Sequence, residues 1–473
     1  MKKITRYLLF IFVLSFLCMG CNKNGNNKEK QKANTRENVA STEENLENTT
    51  ETMAISDDDT SEALEEVDYV AELMPEDLGE IIYVYVLDDE SAKKISYFTQ
   101  LYPQFEKQIE VRKLDVKSED YTGAIKNMLQ GNKDIPSVVM CQDDMLWDMI
   151  DAHVFKPLEE VGIREEMYSN AYDYTKNFAM KDNSLMAMTW DSNPGVFIYR
   201  SDIAEEVLGT SEPDEVQEYV KDWDSFFGTA ELMKEKGYTM LSGVNDIVLP
   251  FVEQCETPLV DGKTLNIDEN VVALFEVARY MSEEGYVAGN TMIGDEQWVS
   301  DNKDNVFGCF GSERTIDYYF NDVLEETYGK RKICEGPSNF HCGNSYIGIT
   351  NKCRNEKLAA FLVYTLCCDK NVMYQICENE NIFVNNREVI KTAVAEGKGA
   401  YETLGGQETY AVWDISSDSI TIGSPTKYDD ILINVLYDEL DRYVNEELAD
   451  VDAAVDRVKT KILEQCKELQ TDN

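Results

Sequence analysis

Three apolar runs, separated by stretches long enough for a helix, constrain this chain most. Residues 80–87 (EIIYVYVL) combine β-branched and aromatic side chains and read as a buried strand. That run empties into Asp88, Asp89 and Glu90, and a helix-like stretch follows over 91–105. Residues 109–116 alternate as a second strand does, and 118–130 have helical spacing. Residues 136–140 open a third strand, carrying Cys141, Gln142, Asp143, Asp144 and Trp147 to its C-terminal end. Strand, helix, strand, helix, strand is the rhythm of an α/β fold on a parallel sheet. Ligands collect beyond the carboxyl ends of such strands, which makes Asp88, Asp89, Asp143 and Asp144 the first binding candidates.

Farther along, residues 184–200 form two extended halves around Trp190, Asp191 and Ser192. An aromatic ring followed by a carboxylate suits a polyhydroxy ligand, because the ring covers C–H faces and the acid accepts hydroxyls. The second half reads as mostly helical. Asp222 is a possible cap for a helix over 223–236, and 268–284 carries an apolar face. Short strands are predicted at 305–310 and 345–350, one long helix at 356–377, and a helical pair at 429–447 and 450–469.

The start of the chain has a different character. Lys2, Lys3 and Arg6 precede an apolar run that ends at Gly20-Cys21, the layout of a bacterial lipoprotein signal. The expectation is removal of residues 1–20 and a lipid anchor on Cys21. Residues 21–77 are dense in Asn, Glu, Thr and Lys, too poor in apolar surface to offset the entropy of ordering them, and read as a flexible tether. Roughly four hundred residues then remain, more than one core usually holds, so two domains are expected.

A formal charge of −46 sets this surface against nucleic acid and anionic lipid. Of the twelve cysteines, ten lie beyond Cys21. They read either as bridges, with Cys334 and Cys342 a plausible local pair, or as buried thiols in an organism living without oxygen. Two histidines, His153 and His341, exclude a histidine-rich metal site. No nucleophile elbow, phosphate-cradling glycine loop or His-x-x-His pattern is present, and the acidic clusters 57–59 and 88–90 lack EF-hand spacing. No enzyme activity, cofactor or required metal is expected.

Several motifs in order carry a family resemblance: the 80–87 strand; Gln130-Gly131 ahead of Asp134-Ile135-Pro136-Ser137-Val138; Phe155-Lys156-Pro157-Leu158; and Asp222-Trp223-Asp224-Ser225-Phe226. Residues 305–311, 358–369 and 453–466 extend it. Together these resemble the family 1 extracellular solute-binding proteins of ABC sugar importers, the maltose-binding-like group. The resemblance implies a periplasmic-binding-protein-like type II α/β fold of two lobes, with a hinge and an interlobe cleft. The first lobe would take residues 78–185 and 333–378, the second 186–332 and 379–473. It implies a monomer delivering a small carbohydrate to the transmembrane subunits of an ABC permease; with the signal layout and the thiols, the expectation is a lipoprotein on the outer face of the cell membrane of a Gram-positive anaerobe. A surface polysaccharide-binding or adhesion protein on the same fold is the alternative.

Position by position, the resemblance matches Asp88, Asp89, Asp143 and Asp144 to places that accept sugar hydroxyls. Trp190 and Asp191 match the entry to the second lobe, and Asn344 and Tyr346 the return to the first. Where such proteins often carry a stacking tryptophan after Gly311, this chain has Glu313 and Arg314, which permits an anionic or amino-bearing ligand. Trp298 and Trp413 are candidates for the missing stacking surface.

Overall fold

A computed structural model describes residues 68–471, apart from residue 290 and residues 322–324. The lipoprotein signal, Cys21 and the cluster 57–59 lie outside the described residues, as does most of the expected tether. Its last stretch differs from expectation: Tyr69–Leu73 is a helix, with the Asp68 carboxylate accepting from Ala71 N. Leu73 is buried and Tyr69 meets Tyr364 edge to face, so two apolar side chains suffice to fasten this segment to the helix Glu356–Cys367.

The expected rhythm forms the first sheet. Ile82–Val86 pairs in parallel with Ile109–Lys113 on one side and Val138–Gln142 on the other. Two antiparallel strands complete the order, Ser345–Ile349 beside Val138–Gln142 and then Met188–Thr189. Val138 to Cys141 are fully buried, which is why this segment is continuously apolar rather than alternating. Helix Asp89–Leu101 starts where the Asp88 carboxylate accepts from Ser91 N at 2.7 Å. Phe98 and Phe105 pack with Phe361 of Glu356–Cys367.

The second sheet is built on Pro194–Arg200, buried along its whole length. Gly308–Gly311 and Arg331–Cys334 flank it antiparallel, and Phe340–His341 pairs with its start. Residues 333–341 therefore belong with this sheet, although the resemblance had assigned them to the first lobe. The chain re-enters the first sheet only at Ser345, because Phe340 and His341 are register partners of Gly195 and Pro194. Beyond the sheet, Trp223–Glu235 is capped by Asp222 as expected, and Glu269–Glu283 packs against Val248–Val252, Asp429–Val444 and Val451–Gln465.

The single long helix expected over 356–377 is two helices, Glu356–Cys367 and Lys370–Glu380. Asp369 divides them, its carboxylate accepting from Asn371 N and Val372 N, so a second N-terminus replaces continuous helix. After Ser312 an α-helical turn, Glu313–Thr315, passes into a π-helical turn at Ile316–Asn321. No cysteine among the described residues is bridged, and Cys334 and Cys342 are both free thiols. Burial pushes the Cys353 thiol up to about 11. Among the described residues no helix is long and apolar enough to cross a membrane.

Candidate functional site

Two short segments carry the chain between the sheets: residues 190–193 lead from Met188–Thr189 to Pro194–Arg200, and 342–344 lead from Phe340–His341 to Ser345–Ile349. They are laced together. Asn193 Nδ2 donates to the carbonyls of Cys342 and Gly343 at 3.2 and 2.8 Å, and Cys342 N donates back to Asn193 O at 3.0 Å. Ser192 Oγ lies 2.9 Å from both Tyr174 Oη and Ser417 Oγ. A third segment joins them, since Ser192 N donates to Phe383 O and Asn385 N to Trp190 O. Buried backbone groups are thereby satisfied where regular sheet is interrupted.

Beside these crossings opens a cavity of about 310 Å³. One wall comes from the first sheet's end: Asp143, Asp144 and Trp147 from helix Asp143–Asp151, together with Phe178. The opposite wall comes from Val248–Val252, Glu253 and helix Asp429–Val444, and includes Asp430 and Tyr437. His341, Cys342 and Gly343 of the crossing segment run between them. Aromatic faces and several carboxylates thus line one space, a composition suited to a ligand with both C–H and hydroxyl surfaces.

His341 organises this space. Its Nδ1 lies 2.7 Å from Glu253 Oε2 on one wall, and its Nε2 lies 3.6 Å from Asp143 Oδ2 on the other. Burial opposes its charge, but Glu253 and Asp143 outweigh that cost and lift its pKa to about 10. An imidazolium therefore joins the walls at neutral pH. Gly343 makes room for the contact: its φ is +80°, and a Cβ there would come within 2.8 Å of both Asp143 carboxylate oxygens. The sequence reading used His341 only to count histidines. Nothing local announces that a residue 88 positions earlier will meet it.

A second cluster lies at the crossing itself. Arg314 Nη2 is 3.1 Å from Asp191 Oδ2 and 3.1 Å from Ser345 Oγ, so a side chain following the second sheet's edge reaches the first sheet's last strand. Desolvation works against the guanidinium, while Asp191 and Asp143 hold its pKa above the usual arginine range.

The structure thus brings Asp143 and Asp144 to the cavity, and Asp191 and Arg314 to one another. Asn344 is 1 % exposed; its carbonyl accepts from Asp143 N at 3.1 Å, while its side-chain amide has no hydrogen-bond partner. The remaining candidates are placed elsewhere. Asp88 is spent on capping its helix, and Asp89 faces outward to Lys113 at 3.0 Å. Tyr346 is buried, donates to Thr175 O and stacks beneath Phe178, supporting the cavity wall without forming it. Trp190 is a core residue. Trp298 and Trp413 are both 0 % exposed, one stacked on Phe320 and the other packed among Phe383, Tyr401 and Tyr410. Neither offers a ring face to a ligand in this conformation, because each fills space between secondary elements. The tryptophan in the cavity is Trp147, held by Nε1 donating to Phe178 O at 2.9 Å.

Residues 98–326 match the family model of the bacterial extracellular solute-binding proteins. No curated protein matches the sequence closely enough to count as a relative. Solved structures do match. An extracellular solute-binding protein of family 1 superposes with a TM-score of 0.71 at 12% identity, covering 82% of this chain and 99% of its own. The sugar-binding protein MalE from the phytopathogen Xanthomonas citri gives 0.65 at 14% identity, over 82% and 98% of the two chains. The galacto-N-biose/lacto-N-biose I-binding protein of the ABC transporter from Bifidobacterium longum, solved with lacto-N-biose, gives 0.62 at 12% identity, over 84% and 99%. The fold is accordingly the two-lobed, periplasmic-binding-protein-like one that the motifs implied.

Proposed function

We propose that this chain is a bacterial extracellular solute-binding protein, a reading supported by the family match over residues 98–326 and by the fold, and that it captures a small extracellular carbohydrate and delivers it unaltered to an ABC permease. The observation that carries this reading is the cavity itself, walled from both sides of the crossing segments by Trp147 and Phe178 together with carboxylates. A saccharide presents C–H faces to such rings and hydroxyls to such acids. The lobes meet at residues 190–193 and 342–344, so closing them around a solute buries it without any covalent step. Closure of this kind is a population shift, driven by tighter binding to the closed form. Monomeric binding protein, a lipid on Cys21 and a position outside the cell membrane complete the proposal, resting on the lipoprotein layout of the first twenty-one residues.

Thermal-shift and calorimetric titration over mono- and oligosaccharides, polyols and uronates tests it, since a ligand selective for the folded state raises apparent stability. The expected result is saturable binding of a small saccharide that is recovered chemically unchanged. Binding confined to polymeric glycans would favour the adhesion alternative. Appearance of hydrolysis products would refute the binding-protein reading.

A further inference from the structure

Three oxygens beside the crossing segments are linked in a chain that needs one more proton than its tyrosine can give. Tyr401 Oη lies 2.9 Å from Asn381 O and is also within hydrogen-bonding distance of Glu313 Oε1. A carbonyl and a carboxylate are both acceptors, and a phenol carries one proton. Two full hydrogen bonds along this chain therefore require a proton on the Glu313 carboxyl, donated to Tyr401 Oη while Tyr401 donates onward to Asn381 O. Glu313 Oε2 remains an acceptor, from Phe383 N at 3.3 Å.

The surroundings suit a neutral acid. Glu313 is 8 % exposed, and the charges that face it are two more acids, Asp317 from the π-helical turn and Asp191 from the first crossing segment. Arg314, next in the chain, is turned to Asp191 and Ser345 instead. Helices Lys370–Glu380 and Tyr410–Ser419 contribute Cys377 and Tyr410: Cys377 Sγ lies 3.7 Å from Tyr410 Oη, which donates to Asn381 Oδ1 at 3.4 Å. A buried carboxylate with no base beside it is costly, and protonation removes that cost.

The groups that this proton joins belong to the crossing. Asn381 ends helix Lys370–Glu380 in the left-handed conformation, at φ +53°, and opens the third segment. That segment is tied to residues 190–193 by Ser192 N donating to Phe383 O and Asn385 N to Trp190 O. Glu313 and Arg314 between them thus reach all three segments, at Asp191, at Ser345 and, through Tyr401, at Asn381.

We propose that Glu313 is a neutral acid whose proton fastens the third segment to the second sheet's edge, so that the crossing loosens when that proton leaves. On ionisation the proton passes to solvent, the Tyr401 proton turns from Asn381 O to Glu313 Oε1, and Asn381 O loses its donor. Burial, with the charges of Asp317 and Asp191, pushes the Glu313 carboxyl up to about 8 against the bonds from Tyr401 and Phe383 N. Because that value stands above the ordinary 4.5, the stability tied to this proton is fully present below pH 4.5 and is lost as pH rises through 8. Glu313 is a positioning residue here, acting on the crossing through Tyr401.

Glu313→Gln tests this, because an amide offers an N–H to Tyr401 and an oxygen to Phe383 N, as the protonated acid does. On the full-length chain, difference infrared spectroscopy at about pH 7 is expected to show the carbonyl stretch of one protonated carboxyl in the parent that the variant lacks, fading as pH rises through about 8. Hydrogen exchange in peptides covering 381–386, compared at equal pH, should match in the two proteins at about pH 7 and run at least about threefold faster in the parent at about pH 9. Tyr401→Phe removes the relaying hydroxyl, so the same peptides should exchange faster than in the parent already at about pH 7 and show no further step. If Glu313→Gln does not fold, Tyr401→Phe decides, and exchange equal to the parent's would overturn the proposal. A missing carboxyl band overturns the neutral acid. A band accompanied by equal exchange at both pH values overturns its hold on the crossing.

Discussion

Two charged clusters share the crossing segments and are built on opposite rules. At Arg314 an acid, a base and a hydroxyl meet across the sheets, so the contact is complete in the absence of any ligand. In the cavity, Asp144 and Asp430 line the same space without an ion-pair partner among the described residues, while His341 is shared by Asp143 and Glu253 and Lys427 lies over the Tyr428 ring. The first arrangement ties the two sheets together; the second leaves two carboxylates to solvent. Closure on a solute requires that the solute bind the closed form better, and groups left to solvent are free to contribute to that difference.

The comparison can be broken by substitution. The largest effect is expected at the crossing, where Trp190→Ala removes a buried indole from the core: a loss of about 3–5 kcal/mol of stability, measured by denaturant unfolding. A loss below about 1 kcal/mol would mean that the ring is displaceable and open to a stacking role after all.

Next comes His341→Ala, which leaves Asp143 and Glu253, both part-buried, without their shared cation; about 3 kcal/mol is expected, at the low end for a broken buried ion pair. The pH dependence has a definite sign. Because the folded pKa of His341, about 10, lies above its ordinary value, its contribution is fully present below about pH 6.5 and is lost as pH rises through 10. Alkaline destabilisation should therefore be shallower in the variant than in the parent protein, and identical slopes would remove His341 from that role.

The smallest effect is expected at the cavity mouth. Asp144→Asn should raise the unfolding temperature slightly at pH 7, since a charge that is held at a cost is removed. In the parent, that cost disappears as pH falls through 6 toward about 4, so the variant's advantage should fade over the same range. A destabilised variant at pH 7 would show that Asp144 has a partner and would equate the two clusters.

What could be read from the sequence follows the reach of its signals. The parallel strands and their helices were legible because each carries its own period, and Asp222 as a cap because capping is local. Asp369 carries the same local chemistry, but it is hidden within an apolar stretch that reads as one helix. The cavity lining was legible where a strand end delivers it, at Asp143 and Asp144, and illegible where distant segments meet. Glu253 with His341 and Asp191 with Arg314 are joined by topology alone. The tryptophans misled for a related reason: an aromatic residue between two strands is equally suited to a ligand and to filling the junction, and Trp190, Trp298 and Trp413 fill junctions. Trp147, one turn into a helix after a strand, is the one whose position gave it to the cavity.

The central claim is that one solute is held from both sides of the cavity. Hydrogen–deuterium exchange on the protein with and without a binding saccharide tests it most directly. The account predicts slowed exchange together in Asp143–Asp151, in Val248–Val252 and in Asp429–Val444. Protection confined to one wall, or located away from all three segments, would contradict it.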